Sequence, residues 1–165
     1  MRRRAAAALV SLAAALFPPA GCGYEAGWLR HEGDRTIAID VIANDTFRRE
    51  IEFFLTTRLH DEVQSRSGLR IASRDEADIL MTGRIVDVRE RVVSETQEDD
   101  VFESNVTVWV TFRVVDRRTG TLRKEFALAD TGRFLPGTGQ DSDTGTREAF
   151  ASLARRAIEQ LERSF

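Results

Sequence analysis

Glu103-Ser104-Asn105-Val106-Thr107-Val108-Trp109-Val110-Thr111-Phe112-Arg113-Val114-Val115-Asp116 is the stretch on which the fold turns. Val106, Val108, Val110, Phe112 and Val114 occupy every second position, with Asn105, Thr107, Trp109, Thr111 and Arg113 between them. That period describes a strand with one face in a core and the other in a wetter setting. Asp116-Arg117-Arg118-Thr119-Gly120 then reads as a hairpin loop, with Gly120 free to take the left-handed conformation. The returning strand is expected to place Leu122, Phe126 and Leu128 on the core side.

Working outward, Thr36-Ile37-Ala38-Ile39-Asp40-Val41 alternates in the same way and predicts the first strand. Asn44, Asp45 and Thr46 offer three N-caps to an amphipathic helix of about five turns. Its stripe is Phe47, Ile51, Phe54, Leu55, Leu59 and Val63, and its solvated face carries Arg48, Glu52, Arg58, Asp61 and Glu62. Ser67-Gly68 stops it, and Leu69-Arg70-Ile71-Ala72 is a short strand that a right-handed crossover sets parallel to the first.

Asp78 to Val93 is a long strand of mixed pattern, with Ile79, Met81 and Ile85 pointing one way and Leu80, Val86, Val88 and Val92 the other. Either both faces are partly covered or a bulge near Gly83 switches the register. Residues 94–100 form an acidic loop, and Thr131 to Gly145, rich in Gly, Thr, Asp and Ser, reads as a flexible connection. Phe150, Leu153, Ala154, Ala157, Ile158, Leu161 and Phe165 mark a closing helix. The order β-α-β-β-β-β-α predicts an α+β two-layer sandwich, with two helices packed on one face of a mixed, mainly antiparallel sheet of about four main strands.

Ahead of this domain, Arg2, Arg3 and Arg4 precede an apolar run from Ala5 to Phe17, broken by Pro18-Pro19. As a helix the run spans roughly 20 Å, short of the roughly 30 Å hydrocarbon core, so it reads as an export signal. It ends in Ala20-Gly21-Cys22, which resembles a bacterial lipobox, although Pro19 stands where an aliphatic residue is usual. The division expected is a lipoprotein signal peptide over 1–21, a lipid tether over 22–35 beginning at the acylated Cys22, and the sandwich domain over 36–165. Tyr24, Trp28 and Leu29 in the tether either rest on the membrane interface or cap the core.

Cys22 is the only cysteine, which excludes an intramolecular disulfide and a cysteine zinc site. The chain has 24 basic and 27 acidic residues, and loss of the signal removes three arginines and no acid, leaving a net charge of −6. An interspersed, mildly acidic surface argues against a nucleic-acid partner. His31 and His60 are the only histidines, and neither has a nucleophile or metal-ligand spacing beside it. Gly137-Thr138-Gly139 is too short for a phosphate loop. No enzyme, no metal and no cofactor other than the covalent lipid are expected.

Gly21-Cys22-Gly23-Tyr24, Thr36-Ile37-Ala38-Ile39 leading into Asn44-Asp45-Thr46-Phe47-Arg48-Arg49, and Ala77-Asp78-Ile79-Leu80-Met81-Thr82-Gly83-Arg84-Ile85 resemble LptE-type lipopolysaccharide-assembly lipoproteins. The resemblance spans nearly the whole mature chain. It implies a non-enzymatic protein held by its lipid at the periplasmic face of the outer membrane, where it plugs an LptD-type β-barrel, helps that barrel assemble and binds lipopolysaccharide.

Asn105, Thr107, Trp109, Thr111 and Arg113 are the candidate barrel-facing residues, since an exposed Trp among hydroxyls suits a polar lumen. The alternative for Trp109 is packing beneath a loop or the tether. Arg117, Arg118, Arg123 and Lys124 are candidates for the lipopolysaccharide phosphates, or else a solubilising cluster, with Arg84, Arg89 and Arg91 as a second group. The alternative role for the whole chain is an accessory or pilot lipoprotein of another outer-membrane pore or secretion system.

Overall fold

The computed structural model describes residues 35–95 and 101–163. Its elements are β1 (Thr36–Ile39), β2 (Ala43–Asn44), α1 (Ile51–Arg66), β3 (Arg70–Ile71), β4 (Ile79–Glu95), β5 (Val101–Asp116), β6 (Leu122–Phe134), a 3₁₀ turn (Pro136–Thr138) and α2 (Ser142–Glu162). The sheet runs β3-β1-β4-β5-β6, with β2 beside β4 further along. β1 is parallel to β3 and β4, whereas β4, β5 and β6 form an antiparallel meander.

Both helices cover one face. Ile51, Leu55, Leu59 and Val63 from α1 meet Phe150, Leu153, Ala154, Ala157, Ile158 and Leu161 from α2 over Ile37, Met81, Ile85, Val106, Val108, Val110 and Phe112. The fold is therefore the α+β sandwich expected. Six strands pair rather than about four, the unforeseen one being the two-residue β2.

A register shift falls between Ile85 and Asp87, opposite Val110 and Trp109. Ahead of it Ile79, Met81 and Ile85 face the helices. Beyond it Val88, opposite Val108, takes over that face. The register switch expected near Gly83 therefore occurs, with Val86 as the bulge residue. Gly83 meets a different need: a Cβ there would lie 2.8 Å from Ile42 Cδ1 and 3.0 Å from the Phe112 ring, so glycine allows β4 to pass close beneath them. Leu80 does face away from the helices, but Ala38 and Ala77 cover it with Ala72 and Val115 packed alongside.

Further expectations change, and Phe54 of the expected helical stripe is 38% exposed. Phe47 lies outside α1 and is fully exposed. The turn before the helix is fixed instead by Asn44, whose Oδ1 accepts from Thr46 N–H (3.0 Å) and whose Nδ2 donates to Arg48 O (2.6 Å) and Glu52 Oε2 (2.8 Å). Glu50 then enters α1 in the left-handed region, at φ 67°. Another shift, between Val114 and Val115, leaves Leu122 opposite Val115 and 44% exposed, so of the three residues expected on the core side only Phe126 and Leu128 reach it, joined by Phe134 at the end of the strand.

The segment 131–145 is not a flexible connection. Thr131 to Phe134 complete β6, and α2 begins at Ser142, capped by Asp141 Oδ1 accepting from Thr144 N–H at 3.1 Å.

Candidate functional site: the uncovered sheet face and the β5–β6 hairpin

With both helices on one side, no described residue beyond the sheet covers the other side of β4, β5 and β6 around Trp109. The ladder sets Asn105, Thr107, Trp109, Thr111 and Arg113 between Arg91, Arg89, Asp87, Arg84 and Thr82 on β4 and Arg133, Thr131, Ala129, Ala127 and Glu125 on β6. All five candidates share this face, the first four half-buried and Arg113 exposed.

The Trp109 ring sits at the centre, with the Arg89 guanidinium 5.3 Å from its centroid. Asp87 Oδ2 holds Arg89 Nε at 2.7 Å and so fixes the cation over the ring. Val86, Thr111, Ala127 and Ala129 complete a shallow groove of about 520 Å³ around the indole.

Elsewhere on this side most of the charges pair off. Arg84 meets Asp45 at 2.7 Å, Arg113 meets Glu125 at 3.8 Å, and Arg133 meets Glu103 at 3.4 Å. Such exposed pairs contribute little stability, because solvent screens them. Their effect is to leave a long, polar surface whose charges are largely balanced, with the exposed Arg91 beside Asn105. Thr107 and Thr131 add a hydroxyl–hydroxyl bond of 2.9 Å across the strands. This surface suits broad polar contact around one aromatic anchor.

The hairpin candidates divide. Arg117 Nε donates to Ala77 O, and its N–H to Asp78 O at 3.0 Å. Arg123 pairs with Asp116, and Asp116 also accepts from the N–H groups of Arg118 and Thr119. The hydrogen bond from Arg123, followed by those from Thr119, lowers the Asp116 carboxyl to about 2. Lys124 lies opposite Val114 on the helix side and donates to Gln160 O at 2.6 Å. Arg117, Arg118 and Arg123 therefore surround one turn, and Lys124 sits on the other face of the sheet.

Among the described residues, no group of three or more His, Cys, Asp or Glu side chains could hold a metal ion, and no helix is long and apolar enough to cross a membrane. Cys22, the signal segment and the tether up to Asp34 lie outside the described residues.

A family model for LptE, lipopolysaccharide-assembly, matches residues 35–165, the whole of the sandwich. The chain belongs to the LptE family. No curated protein sequence matches it.

Solved structures share the fold at low identity. A hypothetical protein from Chlamydia trachomatis is 10% identical at a TM-score of 0.57, covering 79% of this chain and 96% of its own. A minor lipoprotein from Acinetobacter baumannii is 14% identical at 0.52, over 78% and 92%. The rare lipoprotein B from Shewanella oneidensis is 13% identical at 0.50, over 79% and 96%.

In this LptE-family chain sequence reading named Arg89 only as a phosphate candidate and missed which residues surround Trp109. Asp87 and Arg89 reach it only because the Val86 bulge reverses the parity of β4. Ala127 and Ala129 do so because β6 pairs in a register that places Ala129 beside Trp109. The alternating Glu125, Ala127 and Ala129 were a visible signal, but their partner strand and register were not.

Proposed function

We propose that this LptE-family protein is an outer-membrane lipoprotein acylated at Cys22, acting as the plug and assembly partner of an LptD-type β-barrel in lipopolysaccharide transport. The role is non-catalytic: the protein supplies a shaped surface, held at the periplasmic face of the membrane by its lipid. The observation that carries this reading is the face of β4, β5 and β6 that no described residue covers around Trp109, polar and largely charge-paired. Barrel interiors are polar, so a plug needs hydrogen-bonding groups along its length and a few large anchors. Asn105, Thr107, Trp109, Thr111 and Arg113 would line that contact, and the Arg117, Arg118 and Arg123 turn is the part of the surface suited to lipopolysaccharide phosphates, with Lys124 reaching from the other side.

The test is recovery of partners with the lipidated protein from detergent-solubilised membranes. An LptD-type barrel is expected to co-purify. Trp109→Asp should cut that recovery by roughly 30-fold, the loss of about 2 kcal/mol typical of an interface anchor, with the thermal midpoint unchanged. Recovery of a secretin or other pore in place of the barrel would replace this reading with the accessory-lipoprotein one.

A further inference from the structure

Along the outer edge of β6, side chains bond one outward backbone group at each of Ala129, Thr131 and Arg133, while no described group bonds those of Glu125 and Ala127. β5 and β6 pair without interruption from Val114↔Lys124 to Ser104↔Phe134. In such a ladder alternate residues turn both backbone groups toward the neighbouring strand or away from it. The outward set is odd-numbered. Ala129 O accepts from Arg156 Nη1 (2.9 Å), Thr131 N–H donates to Asp130 Oδ1 (2.9 Å), and Arg133 N–H donates to Glu148 Oε2 (2.8 Å). Glu125 and Ala127 belong to the same set, yet no described group bonds their outward N–H and C=O.

An open row of backbone groups beside a partly bonded one is a template of defined length for an extended chain. We propose that the Glu125–Ala129 edge of β6 takes up an extended segment of the barrel partner by strand addition; the inference rests on the barrel reading above. The site is continuous with the open face, because Ala127 and Ala129 line the Trp109 groove and their methyl groups leave room for side chains of an added strand. Glu125 is exposed, and at 3.8 Å its pair with Arg113 is loose, so a lysine or arginine on the incoming segment could share that carboxylate.

A second copy fits poorly. α2 packs directly on β6, and two β6 strands paired at a spacing of about 4.8 Å would bring their α2 helices to a similar separation, inside the roughly 8–10 Å that packed helices need. The occupant is therefore a strand without a helix behind it.

The experiment places the photoreactive residue p-benzoylphenylalanine at Ala127 of the full acylated chain, with Gly137 as the comparison site, and irradiates intact cells. The Ala127 site should crosslink to the barrel polypeptide and the Gly137 site should not. Ala127→Pro deletes the outward N–H and no bond among the described residues; it should lower barrel recovery by roughly tenfold or more at an unchanged thermal midpoint. If the wild type recovers the barrel while the Ala127 site crosslinks only to lipid, to a second copy or to nothing, strand addition is overturned and the barrel reading stands. If the wild type recovers no barrel, the barrel reading fails first and the inference with it.

Discussion

Gly132 of β6 and Gly145 of α2 approach so closely that a Cβ on Gly132 would lie 1.8 Å from the Gly145 carbonyl oxygen. The helix rests backbone to backbone on the strand here, and Gly145 in turn is close to Phe134 and Val106, at 3.1 and 3.3 Å from its own Cβ position. The contact draws α2 down over β6 and closes the upper end of the core.

Gly132→Ala should therefore destabilise the protein by about 3 kcal/mol or more, because the obstructing atom is backbone and cannot swing aside. Gly137→Ala, where nothing lies within 4 Å, should stay within about 0.5 kcal/mol of wild type. Urea unfolding of the two variants checks the contrast, and equal midpoints would refute it.

Stability should fall in acid. The hydrogen bond from Arg123 holds the Asp116 carboxyl at about 2, and bonds from Thr36 lower that of Asp78. Burial opposes the effect at Asp130, but bonds from Ser152, Thr131 and Arg156 outweigh it and lower that carboxyl as well. A carboxylate depressed in the folded state stabilises fully above its unfolded value of about 3.9, and that contribution is lost as pH falls through the folded value. The thermal midpoint should be flat above about pH 5 and drop between about 4 and 2. Asp116→Asn should lower the plateau and shrink the drop; a drop of unchanged size would remove Asp116 from the account.

Loss of its side-chain bonds should lengthen the free edge of β6. Glu148→Ala with Arg156→Ala uncovers Arg133 N–H and Ala129 O, and unpaired edges promote aggregation. Light scattering on warming should rise several-fold sooner than in wild type. A double variant that stays as clear as the parent would show that these side chains do not guard the edge.

Cys22→Ala should abolish acylation and leave the protein soluble in the periplasm or as an uncleaved precursor. Persistence of an acylated, outer-membrane form in fractionation and mass spectrometry would show that Cys22 is not the attachment point.

What could be read before the fold was known follows from where the information lies. The alternation in β5 is strict over Asn105 to Val114, and the Phe150 to Leu161 stripe repeats at helical spacing, so each segment reports its own buried face. β4 left two readings open because its alternation reverses at Val86, and no residue there marks a bulge. Phe47 joined the helical stripe by spacing alone, whereas Asn44 bonds to Arg48 and Glu52 and delays the helix to Ile51. The Gly- and Thr-rich stretch over 131–145 looked like a loop because glycine is ambiguous in isolation; its meaning here is the approach of Gly132 to Gly145.

By itself, then, the sequence determined the class of fold, the order of its main elements, the residues of β5 that face away from the core and the candidate anchor at Cys22. Those follow from local periodicity and from motifs that are contiguous in the chain. Only the tertiary structure decided that Asp87 and Arg89 surround Trp109, that Lys124 is parted from Arg118, and that side chains bond the β6 edge beyond Ala127. Each depends on register between strands or on a helix packed over a sheet, and a change of one residue in register moves every side chain beyond it to the opposite face.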